Sequence, residues 1–188
     1  MAALRTSGLL ASGNAHKLEE LRAALPGWEL ELLQTSEPFP AEDGHSYYEN
    51  ARAKAEFGRR VGGVHAWTLG EDSGIEVAAL GGRPGIASAR WVEDGVAALL
   101  EELHGVAYRR ARYVCELVAL SPDGEERRGT GILEGAIATE RRGDEGFGYD
   151  PIFVPDGERR TVAELGNAWK RAHSHRARAA SALAEAIL

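Results

Sequence analysis

YRRARYVCELVALSPDGEERRGTGILEGAIA, residues 108–138, sets the architecture of this chain. Two long runs rich in Val, Leu, Ile and Tyr flank Ser121-Pro122-Asp123-Gly124, where proline presets φ for a turn and glycine accepts a positive φ. The pattern predicts strands over 108–120 and 125–138 joined as a hairpin. Upstream, residues 4–11 read as a short buried strand, Ser12-Gly13-Asn14 as a turn, and 15–25 as a helix stopped by Pro26-Gly27. Residues 28–33 alternate apolar and acidic side chains like a half-exposed strand, and 38–44 form a loop. A helix follows over 46–61, with Ala51 and Ala55 on its inner face and Gly62-Gly63 at its end, and then a strand over 65–71. Beyond them, Asp94 caps a helix running to about His104, and Gly105 closes it. Residues 151–154 read as a short strand, 161–165 as a single helical turn and 174–188 as an Ala-rich helix. Strands and helices interspersed around a central hairpin predict an α/β fold, a mixed sheet with helices on its faces, as one domain over 1–188.

Composition narrows the function. Hydrophobic content of 44% and charged content of 27% over 188 residues suit one folded domain with a sizeable core. No apolar run approaches the roughly 20 residues that span a bilayer, and residues 1–13 hold one basic residue, Arg5, and no signal core. The expected location is the cytoplasm, away from membranes. The one cysteine, Cys115, lies in an apolar strand and is expected to be a buried thiol. A formal net charge of −7 disfavours broad contact with nucleic acid. Basic residues gather instead at Lys170, Arg171, Arg176 and Arg178 beside His173 and His175, which suits a small polyphosphate and equally suits a solvated helix face.

Five segments carry possible chemistry. Glu71-Asp72-Ser73-Gly74 places two carboxylates and a hydroxyl after an apolar run, followed by Gly81, Gly82, Gly85 and Arg90. Mg²⁺ takes one or two carboxylates with substrate phosphates, and glycines let backbone N–H groups approach an anion. Ser12, Gly13, Asn14, Ala15, His16 and Lys17 put amides and a lysine at a helix start, where they can hold a phosphate or simply cap the helix. Glu42 sits in a Pro-flanked loop before Glu49-Asn50-Ala51, and Lys54 can turn inward. Phe147, Gly148, Tyr149 and Asp150 offer a ring between glycines that can lie over a base, or an ordinary turn with one buried aromatic. His173-Ser174-His175 lacks a third nitrogen or sulfur ligand at suitable spacing, which disfavours zinc.

Taken in order, SGNAHKLEE (12–20), ENARAKA (49–55), EDSGIEV (71–77), ALGGRPGIASAR (79–90), GFGYDPIF (146–153) and SHR (174–176) resemble the inosine triphosphate pyrophosphatase family. The match spans nearly the whole chain. Ser12 stands where the family has threonine, and Glu71 where it has its first aspartate, leaving open whether Glu71 reaches the metal. The resemblance implies Mg²⁺-dependent hydrolysis of dITP, ITP and XTP to the monophosphate and pyrophosphate. Asp72 would be catalytic base and metal contact, with Glu42 as the second metal carboxylate. Residues 12–17, Lys54, Ser73 and Arg90 would hold the triphosphate; Phe147 would stack on the purine, with Gly148, Tyr149, Asp150, Lys170, His175 and Arg176 completing the base pocket. It further implies an elongated mixed sheet in two lobes with a central cleft, and a homodimer.

Overall fold

The structure, a computed structural model, describes residues 6–187. Six strands form one sheet: β1 (Thr6–Leu10), β2 (Trp28–Leu32), β3 (Trp67–Val77), β4 (Arg110–Leu120), β5 (Glu126–Ile137) and β6 (Phe153–Pro155), in the order β2-β1-β3-β4-β5-β6. β1 runs parallel to both β2 and β3, whereas β6 is antiparallel to β5, so the sheet is mixed as the sequence predicts. Helices α1 (Ala15–Ala24), α2 (Tyr47–Gly62), α3 (Gly95–Glu102), α4 (Val162–His173) and α5 (His175–Ile187) accompany it. The chain sorts into two compact units. One holds the chain through Asp72, Cys115–Gly131 and the chain from Arg176 onward; the other holds Ser73–Val114 and Ile132–His175.

The first unit buries Leu10, Leu21, Leu30, Leu69, Leu117, Ala179 and Leu183 in one cluster. Close helix packing there depends on glycine. A Cβ on Gly70 would overlap the Ala51 carbonyl oxygen and lie 2.5 Å from the Ala55 nitrogen, so α2 rests with its backbone against β3 one residue before Glu71. Ala51 and Ala55 are the buried small residues of that face. The second unit packs Ile75, Leu99, Leu103, Tyr113, Ile152 and Phe153 together. Its hairpin end is pinned by Arg109, which donates to the carbonyls of Ile137 at 2.8 Å, Ala138 at 2.7 Å and Leu103 at 2.5 Å.

Two boundaries differ from the sequence reading by more than a residue or two. β3 does not stop at Glu71 but continues to Val77, so both carboxylates lie inside a strand. Burying a charge is costly unless it is paired, and here cations distant in sequence supply the partners. Residues 161–165 begin a full helix in place of one turn: Thr161 caps it reciprocally with Glu164, and it runs on to His173 through Gly166, whose φ of 85° interrupts the helical geometry. Ser174 closes α4, and α5 follows at once. The expected first strand and terminal helix also include Leu4, Arg5 and Leu188, which lie outside the described residues.

Candidate active site

In the first unit, the turn after β1 caps α1. The Asn14 side chain accepts from the backbone N–H of His16 at 2.9 Å and Lys17 at 3.3 Å, and Ser12 Oγ accepts from Asn14 N–H at 3.1 Å. The capping alternative is therefore realised, and it presents Gly13, Ala15 and His16 at the surface. Lys17 turns the other way: its ammonium stands 2.5 Å from Glu71 Oε2.

Lys54 does turn inward. Its Nζ donates to Asp72 Oδ1 at 3.0 Å, to the Glu71 carbonyl at 3.1 Å and to Glu42 Oε1. Asn50, one turn earlier on the same face of α2, donates from Nδ2 to Asp72 Oδ2 at 3.0 Å. Its Oδ1 accepts from Gly44 N–H at 2.9 Å, tying down the loop that carries Glu42. Both Asp72 oxygens thus have a fixed donor, and each oxygen of a carboxylate accommodates a second partner. Burial pushes the Asp72 carboxyl up; Lys54 and Asn50 pull it down, Glu42 adds repulsion, and the net position is above the ordinary 3.8. Burial pulls Lys54 down, but Asp72 and Glu42 outweigh it and keep the ammonium charged.

Glu42 and Asp72 converge on one ammonium, a donor set that fits Mg²⁺ held by two carboxylates with phosphate oxygens and waters completing its shell. Among the described residues no cluster of three or more His, Cys, Asp or Glu side chains offers a cage made of protein alone.

Glu71 is committed elsewhere. It is 1% exposed, and Arg176 donates to its Oε1 from Nε at 3.1 Å and Nη2 at 2.9 Å, with the Cys115 thiol 3.4 Å away. Burial alone would raise its pKa, yet Arg176 and Lys17 together hold the carboxyl well below the usual range. Arg176 completes the set by donating from Nη1 to Glu20 Oε2 at 2.6 Å. The Cys115 thiol, buried and facing Glu71, is pushed well above its ordinary value, in keeping with the expected inert thiol.

In the second unit, Ser73 is half-buried in β3, and exposed Arg90 donates to the Ile86 carbonyl at 2.9 Å. The loop over 146–150 is built around Asp150, whose Oδ2 accepts from Phe147 N–H at 2.8 Å and Lys170 Nζ at 2.6 Å, and whose Oδ1 accepts from Tyr113 at 3.2 Å. Glycines at 146 and 148, with φ of 81° and 61°, permit this tight path. Lys170 Nζ lies 3.8 Å from the centroid of the Phe147 ring. Tyr149 donates to the Ser88 carbonyl at 2.9 Å, and burial pushes its phenol up to about 12. His175 stacks on Tyr113 at 4.5 Å, whereas His173 stacks on Trp169 at 4.9 Å, so the two imidazoles are engaged with different rings.

The structure thus brings Glu42, Lys54 and Asp72 together in one unit, and Phe147, Asp150 and Lys170 together in the other. Asp150 bonds the loop's own amide and Lys170. Sequence reasoning missed Asn50, Glu20 and Tyr113. Asn50 had a readable signal, its placement four residues before Lys54 on one helix face. Glu20 had none, because its partner Arg176 is 156 positions away.

A mixed α/β sheet whose central strand presents a buried aspartate, held by a lysine that also binds a second carboxylate, defines an acid–base site suited to phosphate chemistry. The chain belongs to the Ham1 family, whose model matches residues 9–186. It is 43% identical over 182 residues to the dITP/XTP pyrophosphatase of Deinococcus deserti, covering 93% of this chain and 86% of that protein. To the dITP/XTP pyrophosphatase of Symbiobacterium thermophilum it is 46% identical over 180 residues, covering 91% of this chain and 89% of the other. The solved structure of the Staphylococcus aureus Ham1 protein superposes with a TM-score of 0.82 at 32% identity, covering 94% of this chain and 95% of that one. Family and fold class agree with the reading of the motifs.

Proposed function

We propose that this protein hydrolyses the non-standard purine nucleoside triphosphates dITP, ITP and XTP to the nucleoside monophosphate and pyrophosphate, removing them from the nucleotide pool. The observation that carries the reading is Asp72, a buried carboxylate whose two oxygens are fixed by Lys54 and Asn50 beside Glu42. Asp72 orients a water and takes its proton as the water oxygen bonds to the α phosphorus; the bond to the α–β bridging oxygen breaks and pyrophosphate leaves. Burial lifts the Asp72 carboxyl above the ordinary aspartate value, which makes it a better base for this step. Mg²⁺, held by Glu42 and Asp72, would supply charge neutralisation on the phosphates. Lys54, Ser73 and Arg90, with the amides of residues 12–17, would hold the triphosphate.

Base choice follows from hydrogen-bond sign. Hypoxanthine and xanthine carry an acceptor at position 6 where adenine carries a donor, so cationic donors at that edge leave adenine mispaired. A site built to bond one group discriminates by about 10⁴ to 10⁵ against an analogue that cannot pair. Lys170 and His175 would supply such donors, and Phe147 the stacking face shaped by Gly148 and Tyr149, whereas the Arg176 guanidinium is engaged by Glu71 and Glu20.

The same reading makes the protein a cytoplasmic homodimer. No described helix is long and apolar enough to cross a membrane. Light scattering on the purified protein tests the assembly, and a monomer mass at working concentration would remove that part of the reading. For the activity, product release is measured over ITP, dITP, XTP, GTP, ATP and dTTP with and without Mg²⁺. The expected result is Mg²⁺-dependent pyrophosphate from the first three. Turnover confined to pyrimidine nucleotides would point to another pyrophosphatase, and binding without turnover to a nucleotide-responsive regulator.

A further inference from the structure

The segment that carries Phe147 is laced to α4 at several points, and only some belong to the motif that suggests base binding. Thr161 Oγ1 donates to the Arg142 carbonyl at 2.7 Å, and a Cβ on Gly143 would stand 2.5 Å from the Glu164 nitrogen, so the segment begins hard against the first turn of α4. It ends at Asp150, which holds Lys170 of the same helix. Between these ends lies Glu145. Its Oε2 accepts from Asn167 N–H at 2.9 Å, the first amide after the break at Gly166.

That break matters because it leaves the part of α4 bearing Lys170 with an N-terminal amide that no helical carbonyl satisfies. Glu145 supplies the acceptor from outside the helix, as an N-cap does from within. Gly166 has the room this requires: a Cβ there would lie 3.0 Å from Glu145 Oε1, and its φ of 85° would strain any other residue. The carboxylate therefore sets the angle of the helical piece carrying Lys170 relative to the loop carrying Phe147, two residues beyond Glu145. Those groups must agree closely, because Lys170 Nζ sits over the Phe147 ring while both bond Asp150.

We infer that Glu145 is a positioning residue for base recognition: by capping Asn167 it holds Lys170 and Phe147 in register, and its loss weakens binding of the purine without slowing the chemistry. The inference rests on the proposed assignment of Phe147 and Lys170 to the base.

The test compares Glu145→Ala, Glu145→Gln, Gly166→Ala and Phe147→Ala with the unmodified protein in KM and kcat for dITP, in the inhibition constant of pyrophosphate, and in amide exchange at Asn167. A lost cap corresponds to about a five-fold change in an equilibrium. Glu145→Ala and Gly166→Ala are expected to raise KM by about that factor, with kcat and pyrophosphate inhibition unchanged and faster exchange at Asn167. Glu145→Gln keeps an acceptor and is expected to stay within about two-fold of the unmodified KM. Faster exchange at Asn167 with an unchanged KM would overturn the inference, as would a joint shift of KM, kcat and pyrophosphate inhibition. If Phe147→Ala also left KM unchanged, the assignment of this loop to the base would fall with it; a raised KM in Phe147→Ala alone would remove only the role of Glu145.

Discussion

Arg176 and Glu71, 105 positions apart in sequence, form a buried ion pair in which two guanidinium N–H groups converge on one carboxylate oxygen. Lys17 occupies the other oxygen and Glu20 the remaining face of the guanidinium, so one carboxylate joins α1, β3 and α5. The residue left open by the sequence, Glu71, is the counter-ion of this cluster, while its neighbour Asp72 faces Lys54 and Asn50.

Removing the Glu71 charge leaves Arg176 with Glu20 as its remaining carboxylate and takes from Lys17 the carboxylate it pairs with. Breaking a buried pair in this way costs about 3–5 kcal/mol, far more than the pair is worth against an apolar replacement. Glu71→Gln is therefore expected to lower the urea midpoint sharply, and a midpoint equal to that of the unmodified protein would contradict the role.

Acid should attack the same cluster. The folded pKa of Glu71 lies well below its ordinary 4.5, so its stabilisation is fully present above that value and is lost as pH falls through it toward the folded pKa. Urea titrations in steps from about pH 6 to about pH 3 are expected to show stability falling across that window, with a shallower fall in Glu71→Gln.

Asp72 should behave oppositely. Its pKa is raised above 3.8, so the acid limb of kcat should lie above the range of a solvated aspartate, with activity rising as pH increases through it. Asp72→Asn keeps the shape and is expected to cut kcat by about 10² to 10⁴ while leaving substrate binding within a few-fold. Full kcat in that variant would remove Asp72 as the base.

Gly70→Ala probes how α2 is seated. Its Cβ has no room against the Ala51 and Ala55 backbone, so the helix must move and carry Lys54 and Asn50 with it. Overpacking of this kind costs about 1–3 kcal/mol or more. Thermal melts should show the loss, and activity should drop even at temperatures where the variant stays folded.

The fold was readable where physics is local. The turn at Ser121-Pro122-Asp123-Gly124 and the cap at Asp94 follow from side chains acting on their own backbone, and both appear where expected. The burial of Cys115 was open to reasoning from the apolar run around it, and it is buried. What could not be read depends on partners far along the chain. β3 was expected to end at Glu71 because nothing nearby shows that Arg176 and Lys17 neutralise it. The length of α4 was underestimated because Gly166 looks like a stop until Glu145 is seen to accept from the next amide. Tyr113, deep in a strand, gives no hint in sequence that it bonds Asp150 and stacks on His175.

Product analysis of dITP hydrolysis, run with the unmodified protein and Asp72→Asn side by side and with dATP as comparator, tests the account most directly. The account predicts Mg²⁺-dependent conversion of dITP to dIMP and pyrophosphate, little turnover of dATP, and near loss of the reaction in Asp72→Asn. Release of dIDP and orthophosphate, equal turnover of dATP, or an active Asp72→Asn variant would contradict it.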